Sequence, residues 1–221
     1  MNLTEFFKKV VKTLQEQNIE YAVAGGLVAS LYRQNERTTN DLDFLVLTAD
    51  HTQETASSII QQFGLTPHII RQADLEKGPL FAIKRKTSIP FMIAGRGEKT
   101  KPGIGLDFIL PSMPWFEEAM KRAQYNKIDF GFGSIPCLTK EDLILSKFYS
   151  LKNDPARFND LDDLKSIFLA KHEIDLPYIG GQMQKLQLIV PESLKDFAPQ
   201  PLLLTSKRIR RELRQKPKKI L

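Results

Sequence analysis

The sequence predicts an α+β protein in two parts: a mixed N-terminal half over residues 1–137 and an all-helical C-terminal part over residues 138–221. Three observations predict it. Short apolar runs of strand character (Tyr21-Ala22-Val23-Ala24, Leu42 to Leu47, Gly105 to Leu110) alternate with helical patterns in the first half. Leu138-Thr139-Lys140-Glu141-Asp142 is a helix start, with Thr139 as N-cap and acids in the first turn. Beyond it, no strand pattern recurs.

Asn2 opens the first helix, with Glu5 at the capping-box position and Phe6, Val10, Val11 and Leu14 as its apolar stripe. A strand at 20–24 ends in a turn at Gly25-Gly26, and Leu27 to Arg33 reads as a short helix. The strand Asp41–Leu47 leads to a helix near 51–63 that breaks at Gly64. Pro67 to Arg71, Pro79 to Lys86 and Ile89 to Ala94 are strand-like, and Gly95 to Gly103 reads as a glycine- and charge-rich loop before the Asp107 strand. A helix over 114–124 follows, carrying Trp115, Phe116 and Met120. The second part reads as helices over 140–152 and 156–171, broken at Asn153-Asp154-Pro155. Pro177, Gly180-Gly181 and Pro191 interrupt the pattern next, and Pro199 and Pro201 read as a hinge before a last helix at 205–215.

With 221 residues the chain can bury a sizeable core, and 42% hydrophobic with 26% charged content is that of a water-soluble globular protein. No apolar run approaches the ~20 residues of a membrane span, and the N-terminus lacks the apolar stretch of a signal peptide, which points to the cytoplasm. One cysteine, Cys137, excludes an internal disulfide and a cysteine-based zinc cluster. His51, His68 and His172 show no metal-ligand spacing, and neither a Walker A sequence nor a Ser-His-Asp arrangement can be read. The net charge of +6 is uneven: residues 207–221 hold eight Lys/Arg against Glu212 alone, a net +7, so the remainder sums to −1. Such a tail is either a footprint for nucleic acid or a solvated helix end.

The densest motif is Gly25-Gly26 followed by Arg37-Thr38-Thr39-Asn40-Asp41-Leu42-Asp43. Alternate strand positions face the same way, so Asp41 and Asp43 project side by side. Adjacent carboxylates repel unless a cation lies between them, and hard divalent ions take oxygen ligands of this kind. Asp107, a single charge in the apolar run 105–110, offers a third. The glycine pair suits close backbone approach to a phosphate at a helix N-terminus, or a plain strand-to-helix turn. Arg37 would neutralise phosphate or pair with a neighbouring acid. Lys147 lies among Leu143, Ile144, Leu145 and Phe148, where an amine needs an acid, a phosphate or a path to solvent. Arg157, Asp160 and Asp163 share one helix face, as an ion-pair ladder or as site groups.

These residues resemble the DNA polymerase β-like nucleotidyltransferases, and most closely the abortive-infection, type IV toxin branch. The resemblance rests on Gly25-Gly26, Arg37-Thr38, Asp41-Leu42-Asp43, Asp107, and the block from Lys147 through Arg157-Phe158-Asn159-Asp160-Leu161-Asp162-Asp163-Leu164. It covers roughly residues 20–165. It implies a small mixed β-sheet core flanked by helices, with the helical C-terminal part closing over a nucleotide. It implies Asp41, Asp43 and Asp107 as ligands of two Mg²⁺ (or Mn²⁺) ions about 3.5–4 Å apart. Lys147 and Asp160 would join them in catalysis, and Gly25, Gly26, Arg37, Thr38, Lys147, Arg157 and Asp163 would contact the nucleotide. Whether Asp160 or Asp163 is the base stays open. Many relatives carry Gly-Ser at the turn, and Gly26 lacks that hydroxyl. The activity implied is transfer of NMP from an NTP to a hydroxyl acceptor with release of pyrophosphate. The basic tail favours RNA as acceptor, such as a tRNA 3′ end, in a toxin with a cognate antitoxin. A small-molecule acceptor of aminoglycoside type, and a non-catalytic antitoxin or adaptor keeping the fold, are the alternatives.

Overall fold

A computed structural model describes residues 2–71, 89–97, 103–170 and 172–215. It holds eight α-helices among the described residues and a five-stranded mixed sheet, the α+β architecture expected. The chain divides into two compact units, Met1–Ser30 with Arg37–Thr139, and Leu31–Glu36 with Lys140–Leu221.

In the first unit, helix α1 (Leu3–Glu16) begins at the expected capping box: Asn2 accepts from the Glu5 amide, and Glu5 reaches back to the Asn2 amide. Strands β1 (Glu20–Ala24), β2 (Asp41–Leu47), β3 (Thr66–Arg71), β4 (Pro90–Arg96) and β5 (Gly105–Ile109) lie in the order β1-β2-β5-β4-β3. β2 and β5 run parallel, and every other pair is antiparallel. One face carries Phe44 and Phe108 and is covered by α1, through Phe7 against Phe44, and by α3 (Thr52–Gln62), whose Ile60 lies over Gly95. Phe6 stacks edge-on against Phe63, so the two helices also meet. Asp41, Asp43 and Asp107 alternate with this apolar set and fall on the opposite face.

Local chemistry accounts for the departures from expectation. Helix α2 runs Gly25–Tyr32, so both glycines open the helix rather than form a separate turn; Gly25 enters with φ +62°, which its missing side chain permits. β4 extends through Gly95 and Arg96, residues expected in the following loop, because both pair with neighbouring strands. The expected strand Pro79–Lys86 lies outside the described residues. After α4 (Phe116–Ala123), an unexpected hairpin forms from β6 (Lys127–Asp129) and β7 (Ser134–Pro136), whose turn places Phe130 and Phe132 against Phe7. Cys137 and Leu138 then close the outer edge of β1, the Leu138 amide donating to the Val23 carbonyl at 2.9 Å. Burial pushes the Cys137 thiol up to about 12, so it stays a protonated core side chain.

The second unit packs α5 (Lys140–Asn153), α6 (Phe158–Leu169), α7 (Leu176–Leu186) and α8 (Gln200–Gln215) around Ile144, Phe148, Leu164, Ile167, Met183 and Leu202. α7 forms where prolines and glycines interrupt the pattern: Asp175 caps it by accepting from the Tyr178 amide at 2.9 Å, and Pro177 sits in the first turn, where no amide is needed. α8 likewise begins at Gln200 with Pro201 in its first turn, so the expected hinge is a helix start. No helix among the described residues is long and apolar enough to cross a membrane.

Candidate active site

The parallel pairing of β2 with β5 sets Asp41 opposite Gly105 and Asp43 opposite Asp107. The three acids proposed as ligands therefore lie on two neighbouring strands and one face, at the sheet end where β1 stops and β2 and β5 start. Two glycines make room for them. A Cβ on Gly105 would overlap the Asp41 carboxylate, and one on Gly25 would overlap that of Asp43. The Asp43 carboxylate thus lies over the first residue of α2, where the helix dipole favours negative charge. Gly26 is tight for a different reason: a Cβ there would come within 3.0 Å of Thr39 Oγ1 and 3.3 Å of Arg37 Cζ. The α2 start, Arg37 and Thr39 are consequently neighbours. Ser30 Oγ ties them further, donating to the carbonyl oxygens of Gly26 (3.0 Å) or Arg37 (3.3 Å). Thr39 Oγ1 meets the Asp41 backbone, accepting from its amide at 3.3 Å or donating to its carbonyl at 3.2 Å, and Thr38, between Arg37 and Thr39, is exposed.

A residue that the motifs do not mark completes this group. Arg96, at the end of β4, holds Asp107 with both arms of its guanidinium: Nη1 on Oδ1, and Nη2 on Oδ2 at 2.9 Å. Burial raises the Asp107 carboxyl above the ordinary range, and Arg96 opposes that rise. The Asp107 hydrogen bonds in turn raise the Arg96 pKa, to which Asp41 and Asp43 also contribute. Among the described residues no three His, Cys, Asp or Glu side chains are gathered so as to hold a metal ion. The donor chemistry nonetheless suits a hard cation: three carboxylates share one face, and glycines clear the space beside two of them.

Lys147, Arg157, Asp160 and Asp163 meet in the second unit, but around one another. Lys147 Nζ donates to Asp160 Oδ1 and Asp163 Oδ2, both at 2.7 Å, and all three side chains are buried. Arg157, just before α6, reaches Asp160 Oδ2 at 2.5 Å. Burial alone would raise the Asp160 carboxyl; the Lys147 and Arg157 charges outweigh it and hold it below the ordinary range. Arg33, also unmarked by any motif, donates to Asp163 and to Asp162 (2.7 Å). Its segment is fixed by Ser166, whose hydroxyl accepts the Gln34 and Asn35 amides at 3.2 Å each. The sequence signal for Arg33 is slight, one basic residue after a short helix.

Residues 12–216 match the family model described as the nucleotidyl transferase AbiEii toxin of a type IV toxin–antitoxin system. The chain belongs to that family. As an AbiEii-family protein it is a nucleotidyltransferase, with an NTP as substrate and a toxin–antitoxin setting. Its resemblance to the polymerase β-like superfamily, and within it to the abortive-infection branch, is thereby borne out. No curated protein sequence matches it. Among solved structures it is similar to the lincosamide antibiotic adenylyltransferase LnuA, bound to lincomycin (16% identity, 76% of this chain and 96% of that one, TM-score 0.44). It is also similar to the antibiotic-resistance factor ANT(2'')-Ia (14% identity, 97% and 95%, TM-score 0.47). An antigenic nucleotidyltransferase-like protein from Paracoccidioides brasiliensis matches at 15% identity over 92% and 84%, with TM-score 0.43.

Proposed function

We propose that this AbiEii-family nucleotidyltransferase transfers NMP from an NTP to a hydroxyl on RNA, using divalent cations (Mg²⁺ or Mn²⁺) held by Asp41, Asp43 and Asp107. The observation that carries the reading is the β2–β5 register, which sets Asp43 beside Asp107 with Asp41 two residues earlier on the same face. When bound, the cations would neutralise triphosphate charge and acidify the acceptor hydroxyl. The chain's own groups do the rest. The Gly25-Gly26 start of α2 presents backbone N–H groups to phosphate, and Arg37 beside it supplies a positive charge. The acceptor hydroxyl releases its proton to solvent, its oxygen bonds to the α-phosphorus, the α–β phosphoanhydride bond breaks, and pyrophosphate leaves. Assignment of Lys147, Arg157, Asp160 and Asp163 to the nucleotide rests on family resemblance alone.

RNA is favoured as acceptor by α8. Its inner stripe, Leu202, Ser206 and Ile209, is buried, while Lys207, Arg208, Arg211 and Arg214 are exposed on the other sides. A cognate antitoxin is the further partner that the family implies.

The test is incubation of the protein with each α-labelled NTP, Mg²⁺ and total RNA. Label should enter RNA, and this labelling should vanish in Asp41→Ala with Asp43→Ala. The reversal Lys207→Glu, Arg211→Glu, Arg214→Glu should flatten the log–log salt dependence of RNA binding by about 0.7 for each phosphate that is no longer neutralised. Removing α8 outright would be uninformative, because Leu202 and Ile209 belong to the core. Label on a small molecule in place of RNA, with an unchanged salt slope in the triple variant, would refute the RNA acceptor.

A further inference from the structure

We infer that Arg96 is a built-in competitor for the catalytic cation: it pairs with Asp107 until a cation replaces it, so that metal binds weakly alone and enters with the nucleotide. The inference rests on the metal reading of the three acids above. Its basis is the bidentate grip of the guanidinium, which covers both oxygens of the third carboxylate, the ones a cation would need. Nη1 also donates to the Gly95 carbonyl at 3.0 Å, which fixes the arm against its own strand.

Position explains why this arginine reaches so far into the acidic cluster. Gly95 pairs with Leu106 and Ala94 with Asp107, so the end of β4 lies directly beside the third acid. Gly105 has no side chain to block the approach: a Cβ there would come within 3.0 Å of Arg96 Nη1 on one side and overlap Asp41 on the other. The Arg96 charge is therefore set against Asp107 with Asp41 next to it.

The asymmetry of burial decides which partner can move. Asp107 keeps 8% of its side chain exposed and Arg96 keeps 43%. The carboxylate is committed to the sheet, whereas the guanidinium can swing into water and be rehydrated there. A buried carboxylate deprived of its counter-ion is costly, so something positive must replace Arg96 when it leaves. A divalent cation meets that need only if its own desolvation is offset, and triphosphate oxygens provide extra ligands for the purpose.

The experiment is Mn²⁺ titration of the full chain by calorimetry and by electron paramagnetic resonance, with and without a non-hydrolysable NTP analogue. Wild type is compared with Arg96→Gln and Arg96→Lys. Without nucleotide, Arg96→Gln should bind Mn²⁺ on the order of tenfold more tightly than wild type, since a unit charge beside the ligand has been removed. Arg96→Lys retains the charge but not the two-armed grip and should gain only a few-fold. A structural arginine would give the opposite sign, because its loss would loosen Asp107 and weaken the metal. Unchanged or weaker Mn²⁺ binding in Arg96→Gln, with wild type binding Mn²⁺ in the presence of the NTP analogue, overturns the competitor role alone. Absence of Mn²⁺ binding in every protein, even with the analogue, overturns the metal reading and this inference with it. If Arg96→Gln does not fold, Arg96→Lys decides: a few-fold gain supports the competitor role and no gain overturns it.

Discussion

Replacing Lys147 with methionine should destabilise the helical unit strongly. The ammonium makes two 2.7 Å contacts, to Asp160 and Asp163, and its side chain is only 6% exposed. Methionine keeps most of the aliphatic stem, so the change isolates the charge. What remains is a pair of buried carboxylates facing a vacated position. Arg157 still reaches Asp160 and Arg33 still reaches Asp163, so neither acid is left wholly without a counter-ion. Removing one partner of a buried ion pair costs about 3–5 kcal/mol. For a chain of this size each kcal/mol moves the melting temperature by about 2–4 °C, which predicts a fall of about 6–20 °C.

Urea denaturation followed by circular dichroism measures the loss. A cycle built from Lys147→Met, Asp163→Asn and their combination then isolates the pairwise coupling. Because Asp163 is fully buried, the double variant should recover a large part of what the lysine change loses. A loss under about 1 kcal/mol, with coupling under about 0.5 kcal/mol, would show the pair to be energetically idle and the amine to be held ready for another partner. The measurement bears on function as well. An ammonium that contributes several kcal/mol to folding through two aspartates is first a device for positioning those aspartates, whatever else it meets during turnover.

Gly25→Ala should lose about 1–2 kcal/mol for a Cβ at φ +62° and, by displacing Asp43, reduce NMP transfer about a hundredfold. Gly181→Ala in α7, where a Cβ meets nothing within 4 Å, should be neutral or stabilising and leave transfer unchanged; equal effects at both glycines would refute the Asp43 argument. Asp160, held below the ordinary carboxylate range, contributes stability that is present above its unfolded pKa of about 3.9 and lost as pH falls through the lower folded value. Urea midpoints should therefore fall less steeply with acidification in Asp160→Asn than in wild type, and parallel curves would remove Asp160 as a source of acid lability.

Two ranges of interaction separate what is legible in the chain from what is not. Strands β1 and β2 and the capping box of α1 are written in neighbouring residues, and the structure places them within a residue of expectation. The co-facing of Asp41 and Asp43 follows from strand geometry alone. Helix α7 is not legible because its local propensity is poor; it persists through packing, with Ile179 and Met183 buried and Gly180 close to Thr205 of α8. The hairpin of β6 and β7 is hidden because three-residue strands carry too little pattern, and its anchor is the distant ring of Phe7. Charge pairing shows the same division more sharply. That Lys147 needs a negative partner is legible from the apolar residues around it, but the choice between acid and phosphate is made by where α6 lies. Arg96 has even less to mark it, since its hold on Asp107 depends on the register of β4 against β5, a relation between segments that no residue spacing encodes. A motif acid therefore reads the same in sequence whether a lysine, an arginine or a cation holds it. Asp107, Asp160 and Asp163, the acids that the resemblance marks as site groups, are matched by cations from elsewhere in the chain, so their availability to a nucleotide or a metal is a tertiary property. For Asp107 the relevant competition is with the half-exposed Arg96, which can yield; for Asp163 it is with Lys147 and Arg33, whose side chains are only 6% and 5% exposed and have less room to withdraw into water.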